Sequence, residues 1–98
     1  MPAYIIVDVT IYNESEYANY RTATPATVEL YNGKFIVRGG KTEVIEGVWN
    51  PERLVIIEFP TAARAKEWWN SPEYSAIKNI RFENAKSNML LVEGYMPS

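Results

Sequence analysis

The sequence predicts a single α+β domain over residues 1–98, in the order strand, helix, strand, strand, helix, strand. Two observations predict it. Four stretches are rich in β-branched and aromatic residues, and two helical stretches with recognisable starts follow the first and third of them. No linker or low-complexity segment divides the chain. The usual solution for this order is a four-stranded antiparallel sheet in spatial order 4-1-3-2, with both helices on one face, the ferredoxin-like arrangement.

Residues 3–12, Ala-Tyr-Ile-Ile-Val-Asp-Val-Thr-Ile-Tyr, read as the first strand. Asn13 then offers an N-cap with Glu16 three positions later, a capping-box spacing. The helix that follows carries Tyr17, Tyr20, Thr24, Val28 and Tyr31 at helical spacing, and Asn32-Gly33 closes it. Pro25 predicts a kink or break near Thr24, because proline lacks an N–H and crowds the preceding turn.

Lys34–Arg38 reads as the second strand. Gly39-Gly40 predicts a bulge or bend before an extended stretch over Thr42–Gly47, and Trp49-Asn50-Pro51-Glu52 a turn. Leu54–Phe59 reads as the third strand, ended by Pro60. Thr61 caps a helix carrying Ala65, Trp68 and Trp69, and Ser71-Pro72 restarts helix with Tyr74, Ile77 and Arg81 on one face. The last strand is expected over Met89–Gly94.

Strand parity sorts these side chains, since alternate residues face opposite sides of a sheet. One parity is apolar: Ile5, Val7, Val9 and Ile11; Phe35 and Val37; Val55, Ile57 and Phe59; Leu90 and Val92. It is expected to lie under the helices. The other mixes oil and charge: Tyr4, Ile6, Asp8 and Thr10; Ile36 and Arg38; Leu54, Ile56 and Glu58; Met89, Leu91 and Glu93. In this arrangement Glu58 and Glu93 flank Tyr4, two strand spacings or roughly 10 Å apart. A surface so composed predicts a half-covered cavity roofed by a second copy of the chain, a homodimer. The 47% hydrophobic content, with three Trp and seven Tyr, argues the same way for so small a domain.

Composition excludes much chemistry. There is no cysteine and no histidine, which removes disulfides, thiolate and imidazole metal ligands, the usual haem ligand and the usual neutral-pH base. No metal and no cofactor is expected. The net charge of −2, without a Lys/Arg cluster, predicts no nucleic-acid partner. No apolar run approaches the ~18 residues of a membrane span, and Asp8 follows the start too soon for a signal peptide. The expected address is the cytoplasm.

The mixed face supplies the candidate site. Glu58 or Asp8 is placed as a proton shuttle, since a carboxylate in a partly apolar cavity exchanges protons readily. Arg38 is placed to hold an anionic group in bidentate fashion. Tyr4, Tyr74, Trp68 and Glu93 complete the expected substrate contacts. Arg38-Gly39-Gly40 also offers backbone N–H groups to an anion, although a glycine pair more often only bends a strand.

Several stretches together resemble the domain-of-unknown-function 1330 family, within the dimeric α+β barrel superfamily. They are Ala3-Tyr4; Tyr17, Tyr20 and Pro25; Arg38-Gly39-Gly40; Glu58-Phe59-Pro60; Trp68; Ser71-Pro72-Glu73-Tyr74; Arg81; Ser87; and Val92-Glu93-Gly94. The resemblance covers nearly the whole chain and implies a ferredoxin-like fold and a dimer. It implies no settled activity, and fold alone chooses none. The sequence therefore reads as a small-molecule-binding protein, with cofactor-independent proton transfer or oxygenation as its chemistry. A non-catalytic sensor or carrier, and a purely structural dimerisation module, stay open beside it.

Overall fold

In a computed structural model, which describes residues 1–97, the order of elements follows the expected alternation. Strand β1 (Ala3–Ile11) leads to helix α1 (Glu14–Leu30), strands β2 (Lys34–Arg38) and β3 (Arg53–Phe59), and short helices α2 (Ala62–Trp69), α3 (Pro72–Ser75) and α4 (Lys78–Asn84). Strand β4 (Ala85–Glu93) ends the series. The sheet order is β2-β3-β1-β4, all neighbours antiparallel. This is an α+β, ferredoxin-like fold with the helices on one face.

Local chemistry accounts for the boundaries. The Asn13 side chain accepts from the Glu16 N–H at the start of α1. At its end the Gly33 N–H bonds the Val28 carbonyl and the Asn32 N–H that of Glu29, the paired bonds of a Schellman stop. Asn32 takes the left-handed conformation (φ 65°), while Gly33 is needed for space, since a Cβ there would run into Phe59 and Val28. Thr61 and Ser71 cap α2 and α3 as expected, each accepting an N–H three residues on at 3.0 Å. The helix after Ser71 is not one piece: Ala76 and Ile77 separate α3 from α4, with Ile77 N–H bonding the Tyr74 carbonyl.

Of the kink or break expected at Pro25, the break does not occur. The helix runs unbroken from Glu14 to Leu30. Proline leaves the carbonyl of residue i−4, Arg21, without its helical donor. The Arg38 guanidinium supplies one, donating to that carbonyl at 2.6 Å.

Two strand faces also differ from expectation. A bulge in β2 pairs Phe35 with Ile57 but Val37 with Ile56 and Arg38 with Val55. The extra residue flips the strand, so Val37 turns outward and Arg38 turns toward the helices. Strand β4 begins at Ala85, four residues earlier than expected, and pairs with β1 along its whole length. Met89, Leu91 and Glu93 therefore share the helical side with Val7, Ile5 and Ala3, while Leu90 and Val92 face out at 56% and 42% exposure. Residues 42–47, expected to be extended, form no strand and stand exposed.

The core lies between sheet and helices. Ile5, Val7, Val9, Val55, Ile57 and Phe59 line the sheet side, and Tyr17, Tyr20, Val28, Ala65, Trp68 and Tyr74 close it from above. The Trp68 ring stacks on Tyr74 with centroids 4.0 Å apart and leans on Phe59 at 5.5 Å. Among the described residues no helix is long and apolar enough to cross a membrane.

Candidate functional site

The four ionisable residues expected on one face are divided between two. Asp8 and Glu58 lie on the outer face, away from the helices, paired with Leu54 and Tyr4 respectively. Asp8 accepts the indole N–H of Trp49 at 2.9 Å, which ties the loop before β3 to the sheet. Glu58 forms an ion pair with Lys34 at 3.5 Å, directly across the strands. Tyr4 stands beside Glu58, but Glu93 does not flank it, because β4 presents Val92 there and turns Glu93 to the helical side. The expected quartet is corrected accordingly: the bulge moves Arg38 and the longer β4 moves Glu93.

Trp68 and Tyr74, expected as substrate contacts, are both fully buried core residues. The Trp68 indole N–H is spent on Thr27 Oγ1 at 3.1 Å. The Tyr74 hydroxyl shares a 2.7 Å hydrogen bond with that of Tyr20. Tyr74 thereby fixes Tyr20, which lines a cavity.

That cavity, partly open to solvent, lies between α1 and the strands β1, β2 and β3, with a volume of about 30 Å³. Its walls are apolar (Val7, Val9, Phe35, Val55, Ile57 and Met89), with Tyr17, Tyr20 and Thr24 from α1. Four guanidiniums reach it: Arg21 from α1, Arg38 from β2, Arg53 from β3 and Arg81 from α4. No carboxylate lines it among the described residues. The chain is acidic overall, yet this one place concentrates positive charge.

Each arginine is held by a specific device. Arg81, 3% exposed, donates through Nη1 to Ser87 Oγ and lies against the Phe82 ring at 4.9 Å. Arg21 pairs with Glu14 at its outer end. Arg38 lies over the Phe35 ring at 4.5 Å while bonded to the Arg21 carbonyl. Arg53 fits against Gly39, which adopts φ 74° and leaves the space a Cβ would take from the guanidinium. The Gly39 N–H bonds the Leu54 carbonyl at 2.8 Å, so it is not offered to an anion.

Donors outnumber acceptors here. Arg21 Nε, Arg53 Nε, and Arg81 Nε and Nη2 are buried and find no hydrogen-bond partner among the described residues. Buried donors normally are paired, and leaving a charged one unpaired is costly. The phenols add to the donor set. Burial raises the pKa of Tyr20, with Tyr74 acting in the same sense and Arg81 against it. Burial also raises that of Tyr17, with the guanidiniums of Arg53, Arg81 and Arg21 opposing. Both stay protonated at neutral pH. For Arg81, burial acts to lower the pKa, but the phenols of Tyr74 and Tyr20 beside it turn the balance upward.

Sequence reasoning missed Arg21 and Arg53 as site residues and left Arg81 outside the expected site. Arg53 was legible: it continues the parity of Val55, Ile57 and Phe59 back by one step, a charge placed under the helices. Arg21 follows Tyr20 on α1 and carries no comparable mark. No group of three or more acidic residues that could hold a metal occurs among the described residues.

The fold resembles several solved structures. The RPA0582 protein of unknown function from Rhodopseudomonas palustris superposes with a TM-score of 0.78 at 19% identity, over 98% of this chain and 84% of that one. Rv0793 from Mycobacterium tuberculosis gives 0.58 at 12% identity, over 100% and 99% of the two chains. An uncharacterised NIPSNAP domain protein from Burkholderia xenovorans gives 0.56 at 12% identity, over 100% of both. At these identities the likeness shows the fold alone. No curated protein matches the sequence. The family model for the domain of unknown function DUF1330 matches residues 2–95, nearly the whole chain, and the chain belongs to that family.

Proposed function

We propose that this chain binds a small organic molecule in the cavity between α1 and the sheet, and that it does so as a homodimer. One observation carries the reading: a cavity whose buried guanidinium donors have no acceptor among the described residues. A bound molecule with acceptor atoms completes that set. Several of the residues that carry the resemblance to DUF1330 proteins support it, because they serve this one place. Tyr17, Tyr20, Arg38 and Arg81 line it; Pro25 frees the carbonyl that holds Arg38; Gly39 makes room for Arg53; Ser87 and Tyr74 hold Arg81 and Tyr20.

The lining favours a sensor or carrier over a proton-abstracting enzyme. Guanidiniums and protonated phenols donate hydrogen bonds and stabilise charge, whereas a base must accept a proton. Asp8 and Glu58, expected as proton shuttles, stand across the sheet. Cofactor-independent turnover in this cavity therefore has charge stabilisation to draw on and takes its proton acceptor from the ligand or from a second copy.

The dimer rests on the outer face. Ile36, Leu90, Val92, Val48 and Trp49 are exposed there or in the adjoining loop, beside the half-buried Ile6, Leu54 and Ile56. Monomeric proteins rarely leave so many large apolar side chains open on one face.

A thermal-shift screen of small neutral, anionic and cationic organic molecules tests the binding reading. Hits should raise the melting temperature and perturb the amide resonances of Tyr20, Arg53 and Val55, but not those of Asp8 and Glu58. Hits mapping to the outer face around Asp8 and Trp49, or none at all, would overturn it.

A further inference from the structure

We infer that the molecule taken up is a short-chain monocarboxylic acid, its carboxylate received by the Nε–Nη2 edge of Arg81. This rests on the cavity being a ligand site, as proposed above.

The argument starts with which donors Arg81 has left. Its Nη1 is committed to Ser87, while Nε and Nη2 are buried without an acceptor among the described residues. Those two atoms lie along one edge of the planar guanidinium and point their N–H bonds in parallel. A carboxylate offers two oxygens at matching spacing, so the pair forms two charge-assisted hydrogen bonds at once. The rings of Phe82, Tyr20 and Trp69, at 4.9, 5.9 and 5.9 Å, ease the burial of the cation, and the phenol oxygens of Tyr20 and Tyr74 stand beside it, short of hydrogen-bond geometry with Nε and Nη2. Arg53 Nε and Arg21 Nε add two further unpaired donors around the same void.

Size and polarity narrow the class. About 30 Å³ holds a water or two, which suits a carboxylate head and is tight for a tetrahedral phosphate. Beyond the arginines the wall is aliphatic and aromatic, with Val55, Ile57 and Phe35 facing the void, and it offers an apolar tail the contacts it prefers. Arg38 is the exposed member of the set, so the tail leaves past it.

Side-chain NMR on the intact protein tests this at constant ionic strength, reading the Nε–Hε resonances of Arg81 and Arg53. Sodium propionate should shift both saturably, and propionamide, its neutral isostere, should not. Arg81→Gln should weaken propionate binding roughly ten-fold or more. Because that variant loses a buried cation on which packing depends, Arg53→Gln provides a second reading and should weaken it too. Saturable binding of propionamide as tight as that of propionate would overturn the carboxylate assignment and leave the ligand site standing. Shifts with inorganic phosphate but not propionate would do the same. Failure of all three probes to move either resonance would overturn the carboxylate assignment, and the ligand site falls with it only if the wider thermal-shift screen also finds no hit.

Discussion

Arg38 donates to the main-chain carbonyl of Arg21 at 2.6 Å, the one carbonyl in α1 that Pro25 deprives of its helical partner. A strand residue thus completes a helix, and the same bond holds one guanidinium at the rim of the cavity. Arg38→Ala should cost about 1–2 kcal/mol, the worth of a charge-assisted hydrogen bond with its packing on Phe35. In a Pro25→Ala background residue 25 has an N–H to give, so the same substitution should cost at least ~0.5 kcal/mol less. Equilibrium denaturation of the four proteins in the cycle measures the coupling. Equal costs in both backgrounds would show that the carbonyl does not depend on Arg38.

Gly39 and Gly40 are neighbours with different work. Gly39 sits at φ 74° against the Arg53 guanidinium, whereas a Cβ on Gly40 meets nothing within 4 Å. Gly39→Ala should therefore destabilise by about 1–2 kcal/mol through left-handed strain, and more if Arg53 cannot move. Gly40→Ala should stay within about 0.5 kcal/mol of the parent. Comparable losses at the two positions would mean that the pair acts as a simple bend.

These particulars show what sequence could and could not yield. Caps, strand order and the tyrosine face of α1 were legible because each is a local pattern of residue type and spacing. The cavity was not, for two reasons of register. In β2 the bulge consumes one residue and reverses every side chain after it, which sequence alternation cannot signal. In β4 both parities of Met89–Val92 are apolar, so alternation is silent there; the deciding contrast lies earlier, where Lys86 and Asn88 face out while Ala85 and Ser87 face in. Arg38 was picked as an anion ligand candidate but set on the wrong face; Glu93 also turns to the helical side, while Asp8 and Glu58 stay on the outer one.

The Tyr20–Tyr74 pair makes stability sensitive to alkali. Burial holds the Tyr20 pKa above its ordinary 10.0, with Tyr74 adding to the effect, and burial acts likewise on Tyr17. The folded chain therefore keeps protons that the unfolded chain has already released. Stability is full below about pH 10 and falls as pH rises from there through the folded-state values, by about 1.4 kcal/mol per pH unit for each such tyrosine. Tyr20→Phe should lose ~1–2 kcal/mol at neutral pH, because Tyr74 forfeits its buried partner. It should also decline less steeply above pH 10. Denaturation midpoints from pH 8 to 11 test both, and an unchanged alkaline slope would mean that Tyr20 ionises no differently in the folded chain.

Leu90 offers the sharpest test of the dimer. It stands opposite Ile6 on the outer face and is 56% exposed, in the middle of the apolar surface that a second copy is proposed to cover. Burying a carboxylate there without a partner costs several kcal/mol, far more than placing it in water. Leu90→Glu should therefore convert a dimer at micromolar concentration into a monomer while the far-ultraviolet spectrum stays that of the parent. Asn79→Glu adds the same charge to exposed helix α4 on the other side and should leave the mass unchanged. Light scattering on the three proteins decides the matter. A parent chain already monomeric at micromolar concentration would remove the dimer, and a Leu90→Glu variant still paired would move the interface away from the outer face of the sheet.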